Sequence, residues 1–276
     1  MAIKATVIED SISPAGHRLT TLELVFPRFI LAEVNTYRMW SRSASSSRAI
    51  PLSRRIEEVR INPAIPVEWG KNQRGMVADE VLPLEDELEA YNVWIEAANA
   101  AADYASYLGE LKLHKQVAAR ILEPFLWQTM VVSSTDFQNM FNQRIHRDAQ
   151  PEFRELALRM KEALKESTPR ELNVGEFHLP YVTAEEREEF DKLTLLAFAV
   201  SRAAKTSYGN QGKIDATKDI DLFQRLLFAE PPHWAPFEHV ATPTFHYPVL
   251  GNFEGWEQLR HMTYALNELK QRFQSH

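Results

Sequence analysis

Residues 37–48 read YRMWSRSASSSR, and this stretch holds three arginines and five serines. Just before it, residues 20–26 alternate between apolar and polar side chains, as a half-buried strand does. An apolar segment then begins at Pro27, and proline is favoured at the first position of a helix. The expected order is therefore a strand, a helix and a hydroxyl-rich loop.

Two interpretations fit that loop. Closely spaced hydroxyl groups and backbone N–H groups can wrap a phosphate, while arginine adds positive charge and a planar fork for paired hydrogen bonds. Serine-rich stretches are also typical of flexible linkers. Composition alone leaves both interpretations open, although arginines at 38, 42 and 48 are denser than a linker needs.

The overall composition is that of a globular protein without thiols. The 276 residues are 45% hydrophobic and 25% charged, so a substantial core can be buried. A net charge of −7 argues against a general nucleic-acid coat. No apolar run is long enough to span a membrane, and a soluble, cytoplasmic protein is expected. The absence of cysteine excludes disulfides, thiolate metal sites and a cysteine nucleophile.

The pattern of elements predicts one α+β domain over residues 1–276. Residues 84–108 have apolar side chains at helical spacing, and that stripe is predicted to lie in the core. Residues 125–132 are mostly apolar and fit either a buried strand or a helix. Near the C-terminus we expect a strand over 240–247 and a helix from 253 to about 271.

Two further segments carry arginines that can bind an anion. Asn139, Arg144 and Gln150 fall at a predicted helix–helix junction, where a permanent positive charge can stabilise a developing anion. Such charged runs are equally typical of a solvated corner. Arg120 follows two alanines on a predicted helix, and an arginine in that setting is usually a surface residue.

The segment at residues 233–239 reads HWAPFEH. Histidine and glutamate side chains suggest a metal site, but Glu238 and His239 are adjacent and would point apart on a strand. We therefore expect no metal there. Upstream, residues 202–208 read RAAKTSY, another run of polar and aromatic side chains.

Together these segments resemble the flavin-dependent thymidylate synthases. That family carries the pattern RHRxxSxNxxSxR, and residues 36–48 match it at Arg38, Ser41, Ser46 and Arg48. The chain departs from the pattern at Thr36, Tyr37 and Ser43. Its Pro-Phe-Glu-His segment follows the loop, whereas the family has it first, so we interpret the order as a circular permutation.

The resemblance implies a mainly antiparallel sheet flanked by helices and reductive methylation of dUMP at C5. It also implies FAD, NADPH and 5,10-methylenetetrahydrofolate as cofactors, a homotetramer and no cysteine nucleophile. Arg144 would be the catalytic residue, acting on the pyrimidine ring. Nucleotide binding would fall to Glu33, Ser45, Ser46, Ser47, Arg48, Arg120 and Arg144. Flavin binding would fall to Arg38, Ser43, Asn139, Ser207, His233 and Glu238.

The departures from the family pattern leave two alternatives open. A related enzyme that methylates or hydroxymethylates dUMP or dCMP would use the same scaffold. A non-catalytic nucleotide-binding protein would keep the phosphate-binding loop without the chemistry. In each case the expected partner is a pyrimidine deoxynucleotide monophosphate, without bulk nucleic acid or a membrane.

Overall fold

The computed structural model describes residues 2–46, 48–75, 77–78, 80–207, 214–245 and 251–274. The strands are β1 (Lys4–Ile12), β2 (Arg18–Pro27), β3 (Ser41–Ala44), β4 (Trp127–Ser134), β5 (Arg170–Glu171), β6 (Ala241–Pro243) and β7 (Trp256–Gln258). The helices are α1 (Leu31–Val34), α2 (Leu52–Ile61), α3 (Leu84–Glu110), α4 (Lys115–Ala118), α5 (Gln138–Arg144), α6 (Pro151–Glu166), α7 (Ala184–Glu189), α8 (Lys192–Ala204), α9 (Ala216–Leu227) and α10 (Thr263–Phe273). Short 3₁₀ turns include Ala119–Phe125, Lys205–Ser207, Ala235–His239 and Leu259–His261.

The larger sheet is mainly antiparallel, as the resemblance implied. Its strand order is β3-β4-β2-β1-β5, and only the short β5 among these described strands pairs in parallel. A second sheet consists of β6 and β7. The predicted α+β class is therefore confirmed, while the prediction of one domain over the whole chain stays a prediction.

The two faces of the larger sheet differ in chemistry. Alternate residues of β2, Leu22, Leu24 and Phe26, are fully buried in a cluster with Phe153 and Leu156 of α6. Because side chains alternate across a strand, Thr21 points to the opposite face. That second face is the polar one, and the C-terminal part of the chain reaches it.

The C-terminal helices form an apolar cluster of their own, and side chains cap the N-termini of α7 and α8. The N-cap of α8 is Asp191, whose side chain accepts hydrogen bonds from the backbone N–H groups of Leu193 and Thr194 at 3.0 and 3.2 Å. Such a cap satisfies donors that the first turn of a helix leaves free. Helix α7 has the reciprocal capping box, with Thr183 and Glu186. The two caps mark α7 and α8 as separate helices.

Two sequence predictions near the site are wrong. The serine-rich segment is not all loop, because Ser41–Ala44 pairs with β4 as an edge strand. The last helix begins at Thr263 rather than at residue 253, since Trp256–Gln258 pairs with β6. The ambiguous segment over 125–132 is mostly strand β4. Of the predicted strand over 240–247, residues 241–243 form β6, and residues 246 and 247 lie outside the described residues.

Helix α3 exists as predicted, but its apolar stripe is only partly core. Ala98 and Ala102 are buried, whereas Leu84 and Leu88 are 80% and 61% exposed. Small alanines and the half-buried Trp94 pack against α2 and the turn at 119–125, where Trp94 lies 5.4 Å from the Phe125 ring. Periodicity correctly predicted the helix but not how much of the stripe is buried.

Candidate functional site

The site is built where the N-terminal loop meets the C-terminal 3₁₀ turn. Ser43 on β3 hydrogen-bonds the Nε2 atom of His239 at 3.0 Å, and the other ring nitrogen of His239 lies 2.8 Å from the Ser133 hydroxyl. The Gln258 amide donates to the Ser41 hydroxyl at 2.9 Å and to the Glu238 backbone oxygen at 2.8 Å. The Ser43–His239 and Ser41–Gln258 bonds join segments about two hundred residues apart.

The serine run continues from β3 as a supported turn. The backbone N–H of Ser46 donates to the Ser207 hydroxyl at 2.8 Å, which places two predicted ligand-binding residues in contact. Ser45 is buried, and its hydroxyl accepts a 2.7 Å hydrogen bond from Gln128. Arg48 is exposed, with its backbone N–H 3.3 Å from the Ser46 hydroxyl. Ser47 lies outside the described residues.

The hydrogen-bond pattern gives the serines different functions. Ser45 already uses its hydroxyl to anchor the turn to β4, so it supports the loop from behind. The exposed guanidinium of Arg48 remains available to an anion. A cavity of about 360 Å³ opens on the inner side of this turn, between α2 and the start of β4, with Ser45 and Ser207 on its wall.

Arg144 is held over aromatic rings by a single nitrogen. Its Nε donates to the Tyr37 hydroxyl at 2.8 Å, and the Tyr37 hydroxyl donates to Gln143 at 3.1 Å. The guanidinium lies 4.6 Å from the ring centre of Phe153, and Tyr37 is stacked on Trp40 at 4.8 Å. No carboxylate among the described residues pairs with Arg144. Its two terminal nitrogens therefore carry an uncompensated charge that a ligand can use.

Glu33 presents an acceptor that lacks a donor. The residue is half-buried on α1, and its Oε2 atom is buried without a hydrogen-bond partner among the described residues. A buried acceptor without a partner costs stability, and such atoms are rare in folded proteins. An N–H or O–H group of a ligand would supply the missing donor.

The remaining predicted site residues are exposed or form ion pairs with residues that were not predicted for the site. Glu238 is half-buried and forms an ion pair with Arg260. Arg120 is exposed and pairs with Glu123 at 2.7 Å, and Glu123 also pairs with Arg28 at 2.9 Å. Arg38, Asn139 and His233 are exposed, and no described contact links them to the other predicted residues.

Arg202 is a structural arginine, in contrast to the arginines of the candidate site. Arg202 is buried and bonds Glu186 at 2.6 Å and Asp219 at 2.8 Å, so its charge is neutralised within the protein. The hydrogen bond from Arg202 lowers the pKa of Glu186. The 202–208 segment thus contributes Ser207 to the site, while Arg202 anchors it. Burial lowers the pKa of Arg42, and the nearby Glu238 carboxylate opposes that shift.

Sequence reasoning missed residues that support the site. Tyr37 was noted only as a departure from the family pattern, yet its hydroxyl holds Arg144. His178, which hydrogen-bonds Ser11 and Thr21, was not among the predicted site residues. The polar residues Thr21 and Glu23 at alternate positions of β2 were the available signal for Thr21, whereas nothing in the sequence pointed to His178.

Comparison with known proteins supplies the family. Residues 2–170 match the Thy1 family model, described as thymidylate synthase complementing protein. This chain belongs to that family. The matched range includes the serine-rich loop and Arg144, and it ends before the HWAPFEH segment. Comparison with curated protein sequences gives no match.

Two solved structures of a UMP/dUMP methylase, PolB from Streptomyces cacaoi, are similar to part of this chain. The form bound with 5-Br UMP has a TM-score of 0.50 and 15% identity, covering 59% of this chain and 89% of that one. The form bound with 5-Br dUMP has a TM-score of 0.49 and 14% identity, covering 59% and 90%. Within the described part of the chain, no helix is both long and apolar enough to cross a membrane.

Proposed function

We propose that this protein is a flavin-dependent thymidylate synthase that reductively methylates dUMP at C5. The observation that carries the proposal is the Ser43–His239 contact, which joins the serine–arginine loop to the Pro-Phe-Glu-His segment. Membership of the Thy1 family supports the same reaction class. FAD would supply hydride transfer when bound, with NADPH as reductant and 5,10-methylenetetrahydrofolate as carbon donor.

The free polar atoms of the site fit an anionic nucleotide. The terminal nitrogens of Arg144 and the Oε2 atom of Glu33 lack partners among the described residues, so a ligand with both acceptors and donors would satisfy them. In this proposal Arg144 addresses the pyrimidine ring and favours negative charge on it. Ser46, Ser47, Arg48 and Arg120 bind the phosphate, and Ser45 holds the turn in place.

The residues proposed to bind FAD include exposed polar side chains. Arg38 and His233 are solvent-accessible, and the Glu238 side chain is fixed by Arg260. With Asn139, Ser43 and Ser207, they are the residues to which the family resemblance gives FAD binding. Their task is binding and orientation, because the hydride chemistry belongs to the flavin.

The test combines flavin binding with product analysis. The purified protein is mixed with FAD, freed of excess and examined for the visible absorption of oxidised flavin. It is then given dUMP, 5,10-methylenetetrahydrofolate and NADPH. Formation of a nucleotide heavier by one methylene group is expected. Absence of both bound flavin and product would contradict the proposal and favour the non-catalytic nucleotide-binding protein.

A second candidate is a methylase or hydroxymethylase with another pyrimidine substrate. Glu33 stands where the family has a nucleotide-contacting glutamine, and a carboxylate can only accept hydrogen bonds whereas an amide can also donate. That difference favours a ligand group with a donor, such as the amino group of dCMP. The assay therefore includes dCMP, and also UMP because the similar solved structure is described as a UMP/dUMP methylase. Product mass separates methyl from hydroxymethyl transfer.

We also propose the family's homotetramer. Helix α3 exposes large apolar side chains, among them Tyr104 at 67% and Tyr107 at 58%. Such a surface is typical of one that another subunit covers. Light scattering on the eluting protein is expected to give four times the chain mass of 31.8 kDa. A monomeric mass would contradict the tetramer and leave the chemistry to be tested separately.

A further inference from the structure

A continuous row of buried polar side chains crosses the polar face of the larger sheet. Four hydroxyl groups come from four neighbouring strands, and two imidazole rings from the C-terminal part of the chain bridge them. In order along the row the residues are Ser11, His178, Thr21, Ser133, His239 and Ser43. Five are fully buried, and Ser43, at the site, is 9% exposed.

Every neighbouring pair in the row is within hydrogen-bonding distance. From Ser11 to Ser43 the successive separations are 2.9, 2.8, 2.5, 2.8 and 3.0 Å. Each ring uses both of its nitrogens, and Thr21 and Ser133 each use one hydroxyl for two contacts. The strand register favours this contact, because Thr21 and Ser133 are directly opposite each other on β2 and β4. The row is therefore built into the sheet.

The protonation states make the row a chain of matched donors and acceptors. Burial lowers the pKa of His239 to about 3, and burial also holds the pKa of His178 well below its usual range. Both rings are therefore neutral near neutral pH, and each has one N–H donor and one free acceptor nitrogen. A hydroxyl also gives one proton and accepts another. All donors in the row can thus point towards Ser43 or all away from it.

The ends of the row lie in different surroundings. At one end, the Ser11 hydroxyl is 3.5 Å from Glu9, whose carboxylate pairs with Arg170 and Arg187 at 2.9 and 2.8 Å. The Arg170 side chain is 46% exposed, so this end reaches solvent. Burial raises the pKa of Glu9 despite both arginines, which makes its carboxylate a better proton acceptor. The other end is Ser43 in the candidate site.

We propose that these six residues form a proton relay, which exchanges one proton between the site beside Ser43 and the Glu9 carboxylate. When Ser43 gains a proton, it gives its own to His239, and each following group does the same until Ser11 gives a proton to Glu9. Every group forms one bond to hydrogen and breaks one, so neither ring becomes charged.

The use of the relay rests on the proposed function. Replacing hydrogen at C5 of the base by a methyl group releases one proton in each turnover. The C5–H electron pair stays on the ring for the new carbon–carbon bond, and the relay carries the proton to a carboxylate that can pass it to solvent. A closed site would otherwise retain that proton.

The middle of the relay offers matched variants. Thr21→Val keeps the shape of the side chain and removes the hydroxyl, and Thr21→Ser keeps the hydroxyl. Thr20→Val is the control, because Thr20 is the buried neighbour whose hydroxyl bonds Asp10 at 2.9 Å outside the relay. Ser11→Ala interrupts the row at its far end and serves as a second variant if Thr21→Val does not fold.

The first readout needs neither flavin nor nucleotide. Nitrogen-15 NMR of labelled histidine rings reports which nitrogen carries the proton. Thr21 touches His178 but not His239, so a coupled relay predicts that Thr21→Val and Ser11→Ala change the ring signals of both histidines. Thr21→Ser and Thr20→Val should leave them near their wild-type positions. A change confined to His178 would overturn the relay.

The second readout is turnover in light and heavy water. We expect Thr21→Val to lose about 10²-fold in turnover, the scale of one proton-transfer contribution, with flavin and dUMP binding retained. The solvent isotope effect should change in Thr21→Val and be restored in Thr21→Ser. Equal losses in Thr20→Val and Thr21→Val would overturn a role in proton transfer. If no substrate is turned over, the proposed function fails, while the NMR result still decides the coupling.

Discussion

Arg144 and Arg202 lie in two regions of the molecule and show opposite uses of the same side chain. Each guanidinium sits over a phenylalanine ring, Arg144 at 4.6 Å from Phe153 and Arg202 at 4.8 Å from Phe198. Arg202 is buried and bound by two carboxylates, whereas Arg144 is held only through Nε by Tyr37. Stacking on an aromatic ring therefore does not distinguish a structural arginine from a ligand-binding one.

The difference lies in what neutralises the charge. Removing a buried arginine that has two carboxylate partners leaves those carboxylates uncompensated, so the cost falls on folding. Removing an arginine that no carboxylate neutralises costs folding little, and the loss falls on whatever ligand the free nitrogens bind. Variants at the two arginines and their partners therefore separate effects on folding from effects on ligand binding.

The largest expected effect is on stability, from Arg202→Met. Glu186 would remain buried without the guanidinium that binds it, Asp219 would keep only Lys205, and breaking such a buried pair costs about 3–5 kcal/mol. Urea unfolding followed by circular dichroism measures the loss. Arg159→Ala removes an exposed ion pair with Glu155 and should change stability little. Equal effects of the two variants would contradict the structural assignment of Arg202.

Arg144→Ala should affect catalysis instead. Loss of one preorganised charge at a reacting group typically costs about 10²–10³-fold in turnover. We expect a decrease of at least that size in methylation of dUMP, with flavin binding and the urea midpoint close to those of the wild type. Arg147→Ala is the control, since Arg147 is 77% exposed and lies three positions along. Unchanged turnover in Arg144→Ala would remove Arg144 from the proposed mechanism.

A smaller effect on catalysis should come from Tyr37→Phe. The ring would keep its stacking on Trp40, but Arg144 would lose the hydroxyl that holds its Nε. One such hydrogen bond corresponds to about tenfold in turnover. If Tyr37 acts by positioning, Tyr37→Phe in the Arg144→Ala background should have no further effect. Additive losses in the double variant would show that Tyr37 acts independently of Arg144.

These residues also show how far sequence reasoning reached. The amphipathic pattern over residues 84–108 predicted α3, because apolar periodicity is a local property. The resemblance assigned the serine–arginine loop and the HWAPFEH segment to one site, and the structure brings Ser43 and His239 of these segments into contact. Nothing local could predict that Tyr37 would meet Arg144, or that Ser41–Ala44 would add to the edge of a sheet. Those contacts depend on the packing of distant segments.

Glu33→Ala should move stability and binding in opposite directions. Removing a buried acceptor that has no partner in the free protein should raise the free energy of unfolding by about 1 kcal/mol. The nucleotide would lose an acceptor, so its dissociation constant should rise about tenfold. Thermal unfolding and calorimetric titration with dUMP measure the two effects. Glu96→Ala, on the exposed side of α3, should change neither. A stability gain with unchanged binding would separate Glu33 from the nucleotide.

The smallest expected effect is on the pH dependence of stability, and it concerns Glu186, a partner of Arg202. The hydrogen bond from Arg202 lowers the pKa of Glu186 in the folded state, so at acidic pH the unfolded chain binds more protons there. The stability contributed by this group is therefore complete above the unfolded pKa and is lost as the pH falls through the folded one. Between about pH 5 and 3, the wild type should lose stability more steeply than Glu186→Gln, which cannot titrate. Parallel pH profiles from urea unfolding would mean that Arg202 does not lower the pKa of Glu186. The contrast with Arg144 would then rest on burial alone.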